Sequence, residues 1–280
     1  MNLRRSISSP AGKERYVRRL FATIADRYDF ITGFLSYGQD RRWKRRLLTL
    51  AQLQPSDRLL DLACGTGDIV FEAAPRVQRA VGLDVTLRML QLAKTRMAPL
   101  KGRPTPTTMA PLKGRPTDVV GTDVVGHPFM GCHPEFITGD MLALPFPDRS
   151  FTVITIGYGL RNVPDLEQSL REIRRALEPN GRVLSLDFNR PSNPIVRGAY
   201  LLYLTVVGSA LGYVLHRDPD TYRYIPESIR NYPGAHGVAR MMESLGFTNV
   251  QVVPVLGGLM AIHIATAPVM THAKVLEGWP

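Results

Sequence analysis

The sequence predicts an α/β fold: a mostly parallel, seven-stranded sheet with helices on both faces and an antiparallel hairpin at its C-terminal end. Three observations carry this. From Asp57 onward, short apolar runs alternate with stretches of helical periodicity, the pattern of parallel strands joined by crossover helices. The first run, Leu59-Leu60-Asp61-Leu62-Ala63, passes straight into Cys64-Gly65-Thr66-Gly67-Asp68, a glycine turn at a helix start. The last two runs, near 248–255 and 259–267, follow each other too closely for a crossover, so they must pair antiparallel.

Residues 13–50 precede the sheet and are rich in Arg and Lys. Val17, Leu20, Phe21 and Ile24 fall at helical spacing, and Trp43, Leu47, Leu48 and Ala51 repeat it in a second basic helix. A strand near 58–63, a helix from 67, a strand at 80–84 and a helix at 86–96 come next. Between Arg96 and Pro134 the alternation breaks at a duplication. Met-Ala-Pro-Leu-Lys-Gly-Arg-Pro-Thr occurs at 97–105 and again at 109–117, and Thr-Asp-Val-Val-Gly at 117–121 and 122–126. Tandem copies this short and this rich in Pro and Gly build no core, so an exposed loop between a helix and the third strand is expected, with a basic recruitment arm as the functional alternative. Strands near 135–139, 151–157 and 181–188 follow, with a helix over 165–177 closed by Pro179-Asn180-Gly181. A helix at 235–245 stops at Gly246, before the terminal hairpin.

The apolar share of 44% and charged share of 21% are ordinary for a globular chain of 280 residues. The charge balance is not: 35 Lys and Arg against 24 Asp and Glu give +11, enough to attract anionic surfaces. Two cysteines without CxxC spacing fit a reduced, cytoplasmic setting, and the first fifteen residues lack the apolar core of a secretory signal. From Gly198 to Leu215 eighteen consecutive residues carry no charge, the short end for a membrane-spanning helix. Their glycines, serine, threonine and tyrosines favour a buried or lid-like segment packing on something apolar.

Glycines at 65 and 67 permit positive φ and close approach of a ligand to the backbone, and the free N–H groups of the new helix face that ligand. Such a turn serves both NAD and S-adenosylmethionine. A dinucleotide site wants a third glycine three residues after the second, where this chain has Val70, which favours S-adenosylmethionine. Asp61 is placed to bond an ammonium or turn amides. Asp84, seventeen residues beyond Gly67 at the end of a short apolar strand, suits both hydroxyls of a ribose. Asp140, followed by the apolar Met141-Leu142-Ala143-Leu144, suits an adenine amino group. The strand from Phe151 then runs into Gly157, Gly159, Arg161 and Asn162, where sheets of this kind carry function. The histidines show no metal-ligand spacing, and the basic helices lack a nucleic-acid-binding pattern.

Several separate motifs together resemble the ubiquinone/menaquinone biosynthesis C-methyltransferases, within the Rossmann-like class I methyltransferases. They are Ala25-Asp26-Arg27-Tyr28-Asp29, Leu35-Ser36-Tyr37-Gly38, Arg42-Trp43-Lys44, the Leu60 to Asp68 turn, Ala143-Leu144-Pro145-Phe146-Pro147-Asp148, Gly159-Leu160-Arg161-Asn162-Val163, and the run from Tyr222 to Ile229. The likeness extends from about Phe21 to Ala267, interrupted by the duplication. It implies one methyltransferase domain over 1–280, with a basic helical segment at 1–55, an insert at about 97–134 and a substrate lid at about 190–233.

The resemblance implies methyl transfer from S-adenosylmethionine to a ring carbon of a demethylated polyprenyl quinol, most simply demethylmenaquinol, with a ubiquinone-pathway quinol as the alternative. It puts Thr66, Asp84, Asp140 and Met141 at the cofactor, beside Asp61, Gly65, Gly67 and Gly157. Two positions depart from the family pattern. Gly157 stands where members carry a small polar residue, leaving only a backbone contact, and Asp40 stands where they carry His. Arg161 stays protonated and is therefore a poor proton acceptor by itself. With Asn162 it is expected to orient a water or stabilise a phenolate, against the plainer reading of a structural salt bridge. Tyr28, Tyr222, Arg223 and Tyr224 are expected to wall the quinol ring. A bilayer-borne substrate also gives the basic N-terminal helices, Arg41, Arg42, Lys44, Arg45 and Arg46 above all, a role in docking on the anionic inner face of the cytoplasmic membrane. From a different class, the chain would be a non-catalytic S-adenosylmethionine-binding partner protein.

Overall fold

The computed structural model describes residues 3, 7, 9–97 and 131–269. The duplicated segment, and with it the expected loop, lies outside them. Among the described residues three α-helices of eight residues or more precede the sheet where two were expected: α1 (Pro10–Ile24), α2 (Tyr28–Leu35) and α3 (Asp40–Ala51). Alternation then runs β1 (Arg58–Leu62), α4 (Asp68–Ala73), β2 (Arg79–Asp84), α5 (Leu87–Met97), β3 (Glu135–Thr138), β4 (Phe151–Gly157), α6 (Leu166–Ala176) and β5 (Leu177–Phe188). Two helices, α7 (Pro194–His216) and α8 (Tyr224–Asn231), are followed by α9 (Ala235–Ser244), β6 (Thr248–Val255) and β7 (Met260–Thr266).

The strand order is β3-β2-β1-β4-β5-β7-β6. The first five strands are mutually parallel, and β7 runs antiparallel to both β5 and β6. Alternation along β1 divides the core in two, because successive side chains leave a strand on opposite faces. Leu60 and Leu62 pack with Leu170, Ile173 and Met242 of α6 and α9, while Leu59 packs on the other face with Leu47, Leu48, Ile69 and Val70 of α3 and α4.

Pro179-Asn180-Gly181 does not close a helix. The helix ends at Ala176, and these residues form an irregularity inside β5, where pairing with β4 jumps from Phe151↔Leu177 to Val153↔Arg182. Asn180, at φ 62°, donates its N–H to the Ala267 carbonyl at 3.1 Å, so the edge of β7 holds the bend.

The uncharged run 198–215 lies within one 23-residue helix, α7. Asn193 caps its start, its side-chain oxygen accepting the N–H groups of Ile195 and Val196 at 2.9 and 3.2 Å. One face packs on the domain: Tyr200, Leu201 and Leu204 join Ile229 of α8, and Leu211 joins Tyr222, Ile24 and Ile31. The opposite face is exposed.

In the basic N-terminal helices Arg41, Arg42, Arg45 and Arg46 are exposed, whereas two lysines are not. Lys13 is drawn inward, donating to the carbonyls of Arg161 and Val163 at 3.0 and 2.6 Å, and burial beside Arg161 pushes its ammonium down to about 8. Lys44 is buried between Asp40 and Asp68, at 2.7 and 2.9 Å. Burial disfavours its charge, yet the two carboxylates outweigh burial and hold it above its ordinary range. Arg18 and Arg45 reach Glu14 and Glu72. Lys44 is therefore removed from any docking role.

Candidate functional site

The strand order turns back between β1 and β4, and the C-terminal ends of those strands leave a crevice there. At the end of β1 the chain bends through Ala63, Gly65 and Gly67, at φ 51°, 53° and 87°. Asp84, at the end of β2, holds the bend. Its Oδ2 accepts the Gly65 N–H at 2.9 Å and its Oδ1 the Thr86 N–H at 2.7 Å. Burial pushes this carboxyl up, against the opposing effect of the two amides. The Thr86 hydroxyl and the Val85 N–H act on it in the same sense as those amides.

Gly65, Asp84, Asp140, Met141, Gly157 and Asn162 line one cleft, with about 750 Å³ of open space including its mouth. Asp140 accepts the Leu142 N–H at 2.9 Å, and its second oxygen lies 3.5 Å from Arg18 of α1, which lies against the cleft. Asp61 and Thr66 stand in a smaller adjoining pocket, which Gly65 and Gly157 share. Within the chain the Asp61 Oδ1 accepts the Thr155 hydroxyl of β4 at 2.7 Å rather than a turn amide. Burial pushes the Asp61 carboxyl up to about 7, partly offset by that bond. The Thr66 hydroxyl donates to Asp29 at 2.8 Å.

Gly67, expected at the cofactor, is not among the residues lining these pockets. Its N–H donates to the Cys64 carbonyl at 2.9 Å, and a Cβ there would lie 2.7 Å from the Phe136 ring. The glycine is required for the turn and for packing.

A second, larger cavity of about 1270 Å³, mouth included, lies beyond the first and is lined mainly by aromatic and aliphatic side chains. Tyr28, Tyr222 and Tyr224 are in its wall, and α7 and α8 cover it with Tyr200, Leu204 and Ile225. Tyr222 is fixed by His216 at 2.9 Å. Arg223 is not in the wall. It follows Tyr222 on the outer side of its turn, exposed and paired with Asp220 at 2.8 Å. We expect Arg223→Ala to leave kcat and KM within about twofold, as for other exposed ion pairs; a tenfold rise in KM would return it to the site.

The two chambers share Phe21, Tyr28 and Tyr158. Burial pushes the Tyr28 hydroxyl up to about 12, so it stays protonated. Tyr158 went unnoticed in the sequence. It sits between Gly157 and Gly159 at φ 61°, an unfavourable backbone for a bulky residue, and donates its hydroxyl to Asp40 at 2.8 Å. A bulky side chain between two glycines at a strand end was the available signal. Asp40, the position that departs from the family pattern, thereby enters the substrate-cavity wall within a Tyr158–Asp40–Lys44–Asp68 network.

Arg161 and Asn162, expected to act together, face different chambers. Arg161 lines the aromatic cavity and Asn162 the cleft. Arg161 is buried, with Nη1 2.8 Å from Asp187 Oδ1 and 2.9 Å from the Tyr158 carbonyl, and its guanidinium lies 4.7 Å from the Phe188 ring centre. Its own backbone N–H donates to the other Asp187 oxygen at 3.0 Å. The structural salt bridge exists, and the same side chain also forms part of the cavity wall. Asn162 donates to the Tyr158 carbonyl at 2.8 Å, while its side-chain oxygen is buried without a hydrogen-bond partner among the described residues.

This arrangement can be compared with known proteins. The model of the ubiE/COQ5 methyltransferase family matches residues 10–102 and 128–267, the break falling on the duplication. The chain belongs to this family. A general methyltransferase-domain model also matches residues 60–185. The ubiquinone/menaquinone biosynthesis C-methyltransferase UbiE of Teredinibacter turnerae is 33% identical, over 91% of this chain and 93% of its own. The demethylmenaquinone methyltransferase of Staphylococcus aureus is 30% identical, over 91% and 93%. Among solved structures, a possible histamine N-methyltransferase from Thermotoga maritima superposes with a TM-score of 0.55 at 15% identity, over 90% of this chain and 99% of that one. At that identity the likeness concerns the fold alone. This ubiE/COQ5 family chain is thus an S-adenosylmethionine-dependent C-methyltransferase. Its glycine turn, the carboxylates lining the cleft and the unpartnered Asn162 oxygen are groups able to receive that cofactor.

Proposed function

We propose that this enzyme methylates a ring carbon of a demethylated polyprenyl quinol, converting demethylmenaquinol to menaquinol. The observation that carries the reading is the meeting of two chambers at Tyr28 and Tyr158, one lined by carboxylates and a glycine turn, the other aromatic and larger. The likeness to the Teredinibacter and Staphylococcus methyltransferases supports it, and the former also supports a ubiquinone-pathway quinol as a second acceptor.

S-adenosylmethionine supplies an electrophilic methyl group. Asp84 would accept from the ribose hydroxyls, Asp140 from the adenine amino group, and Met141 would supply an apolar surface for the adenine ring. Gly157 contributes backbone only. Asp61 receives the amino group through the small pocket beside Thr66. Across the junction, Tyr28, Tyr222 and Tyr224 wall the quinol ring. The ring carbon becomes nucleophilic as the adjacent hydroxyl gives its proton to water; once that carbon has taken the methyl, its own hydrogen leaves as a proton and the hydroxyl is restored, one proton being released overall. Arg161, whose charge Asp187 sustains despite burial, stabilises the phenolate that results. Holding carbon and methyl in line supplies several kcal/mol more, on the order of 7 in favourable cases.

Incubating the pure protein with S-adenosylmethionine and each demethylated quinol, then weighing the products, tests the proposal. A mass gain of one methylene on demethylmenaquinol supports it; methylation of neither quinol overturns it.

Asp61 sets a pH dependence. Its folded-state carboxyl titrates near 7 against an ordinary 3.8, so the folded state holds a proton that the unfolded state has released. This contribution therefore lowers stability as pH rises from about 4 to 7. Ionised Asp61 attracts the cationic amino group, so cofactor affinity should weaken by up to about tenfold per unit as pH falls below 7. Titration calorimetry across pH 5.5–8 checks this, and in Asp61→Asn the slope should vanish.

A further inference from the structure

The outer face of α7 is largely apolar, and no other helix or strand among the described residues covers it. Ile195, Leu202, Val206 and Tyr213 fall on one stripe, and Leu202 and Val206 are 64% and 59% exposed. At 1.5 Å per residue the stripe from Ile195 to Tyr213 runs for about 27 Å. The opposite face packs on the domain core, so the helix can lie on a surface but cannot cross one without leaving the fold. A second exposed apolar face adjoins it: Phe30 and Phe34 of α2, stacked on each other, and Tyr37 just beyond. The hydroxyls of Tyr37 and Tyr203 are hydrogen-bonded, which joins α2 to α7 as one surface.

That surface surrounds the mouth of the aromatic cavity. Tyr37, Tyr203 and Leu256 are each exposed on it and each line the cavity. Exposed cations border it: Arg27 at the start of α2, Arg41 and Arg42 directly after cavity residues Gln39 and Asp40, and Arg217 at the end of α7. An apolar stripe with cations at its rim matches the boundary between the acyl chains and anionic headgroups of a bilayer.

We infer that the chain docks on an anionic lipid bilayer through the α2–α7 face, seating the cavity mouth at the level of the acyl chains. The inference rests on the quinol reading, because a polyprenyl tail enters from the bilayer, and it transfers docking from the basic N-terminal helices to an apolar surface. Cover by a second copy of this chain is the competing occupant.

The test is co-sedimentation with vesicles of mixed phosphatidylcholine and phosphatidylglycerol, comparing the native chain with Leu202→Glu/Val206→Glu. Neither residue lines either chamber. The native chain should pellet with the vesicles, and the variant should lose at least tenfold in partitioning while methylating a short-tailed, water-soluble quinol at the native rate. Its turnover of bilayer-embedded long-tailed quinol should fall in parallel. Equal sedimentation of variant and native chain overturns the inference, as does a native dimer that the variant dissociates without change in vesicle binding. The two readings fail separately: vesicle binding without methylation of any quinol removes only the substrate, and methylation of the short-tailed quinol without vesicle binding removes only the docking.

Discussion

Arg161→Ala is expected to slow methyl transfer by about 10²-fold or more and to destabilise the chain by about 3–5 kcal/mol. Two distinct effects of one side chain are involved. Its guanidinium is the fixed positive charge in the aromatic cavity wall, and removal of a single preorganised donor facing a developing anion costs roughly this much in rate. Its absence also leaves Asp187, which is 1% exposed, without its cationic partner. For a chain of this size the stability loss corresponds to a fall in Tm of about 6–20 °C. Thermal unfolding and single-turnover rates measure the two separately. The double variant Arg161→Met/Asp187→Leu removes both charges and should recover most of the stability without recovering the rate. If activity returned with stability, Arg161 would be a purely structural ion-pair member, and the phenolate role would be lost.

Asp84→Ala is expected to weaken binding of S-adenosylmethionine by about 10²-fold, roughly 3 kcal/mol. Hydrogen bonds to a charged group are worth about 1.5–3 kcal/mol each, and two to ribose hydroxyls are at stake. The same carboxylate ties the glycine turn of β1 to the start of α5 through Gly65 and Thr86, so its loss also loosens the cleft floor. Asp84→Asn retains the shape and an acceptor oxygen, and should fall between the native chain and the alanine variant. Calorimetric titration with the cofactor reads the series. Unchanged affinity in Asp84→Ala would remove the ribose assignment.

Much of the fold was legible because its signals are local. Apolar runs bounded by turns marked all seven strands, and the two that follow each other without a crossover marked the antiparallel pair. The N-terminal region was less legible. The short α2 carries apolar residues on an exposed surface, so its periodicity does not report a core, and a helix count by buried stripe misses it. Within the site, the turn residues and the strand-end carboxylates were readable from their positions alone. Tyr158 was not, because a tyrosine between two glycines acquires meaning only when the hydroxyl meets Asp40, 118 residues away in the chain.

The sequence by itself determined the order of the strands along the chain, the glycine turn and the carboxylates that follow it, since periodicity and backbone φ are properties of neighbouring residues. Only the tertiary structure decided which charges are spent on each other and which face a chamber. Lys13 and Lys44, read as surface cations, are buried in ion and carbonyl contacts, Arg223 is turned outward, and Arg161 and Asn162 look into different cavities. Charge pairing depends on distance and desolvation, both of which are set by segments far apart in the chain. The same holds for α7: its composition permits a core helix, a spanning helix or a surface helix, and the packing of its other face settles the choice.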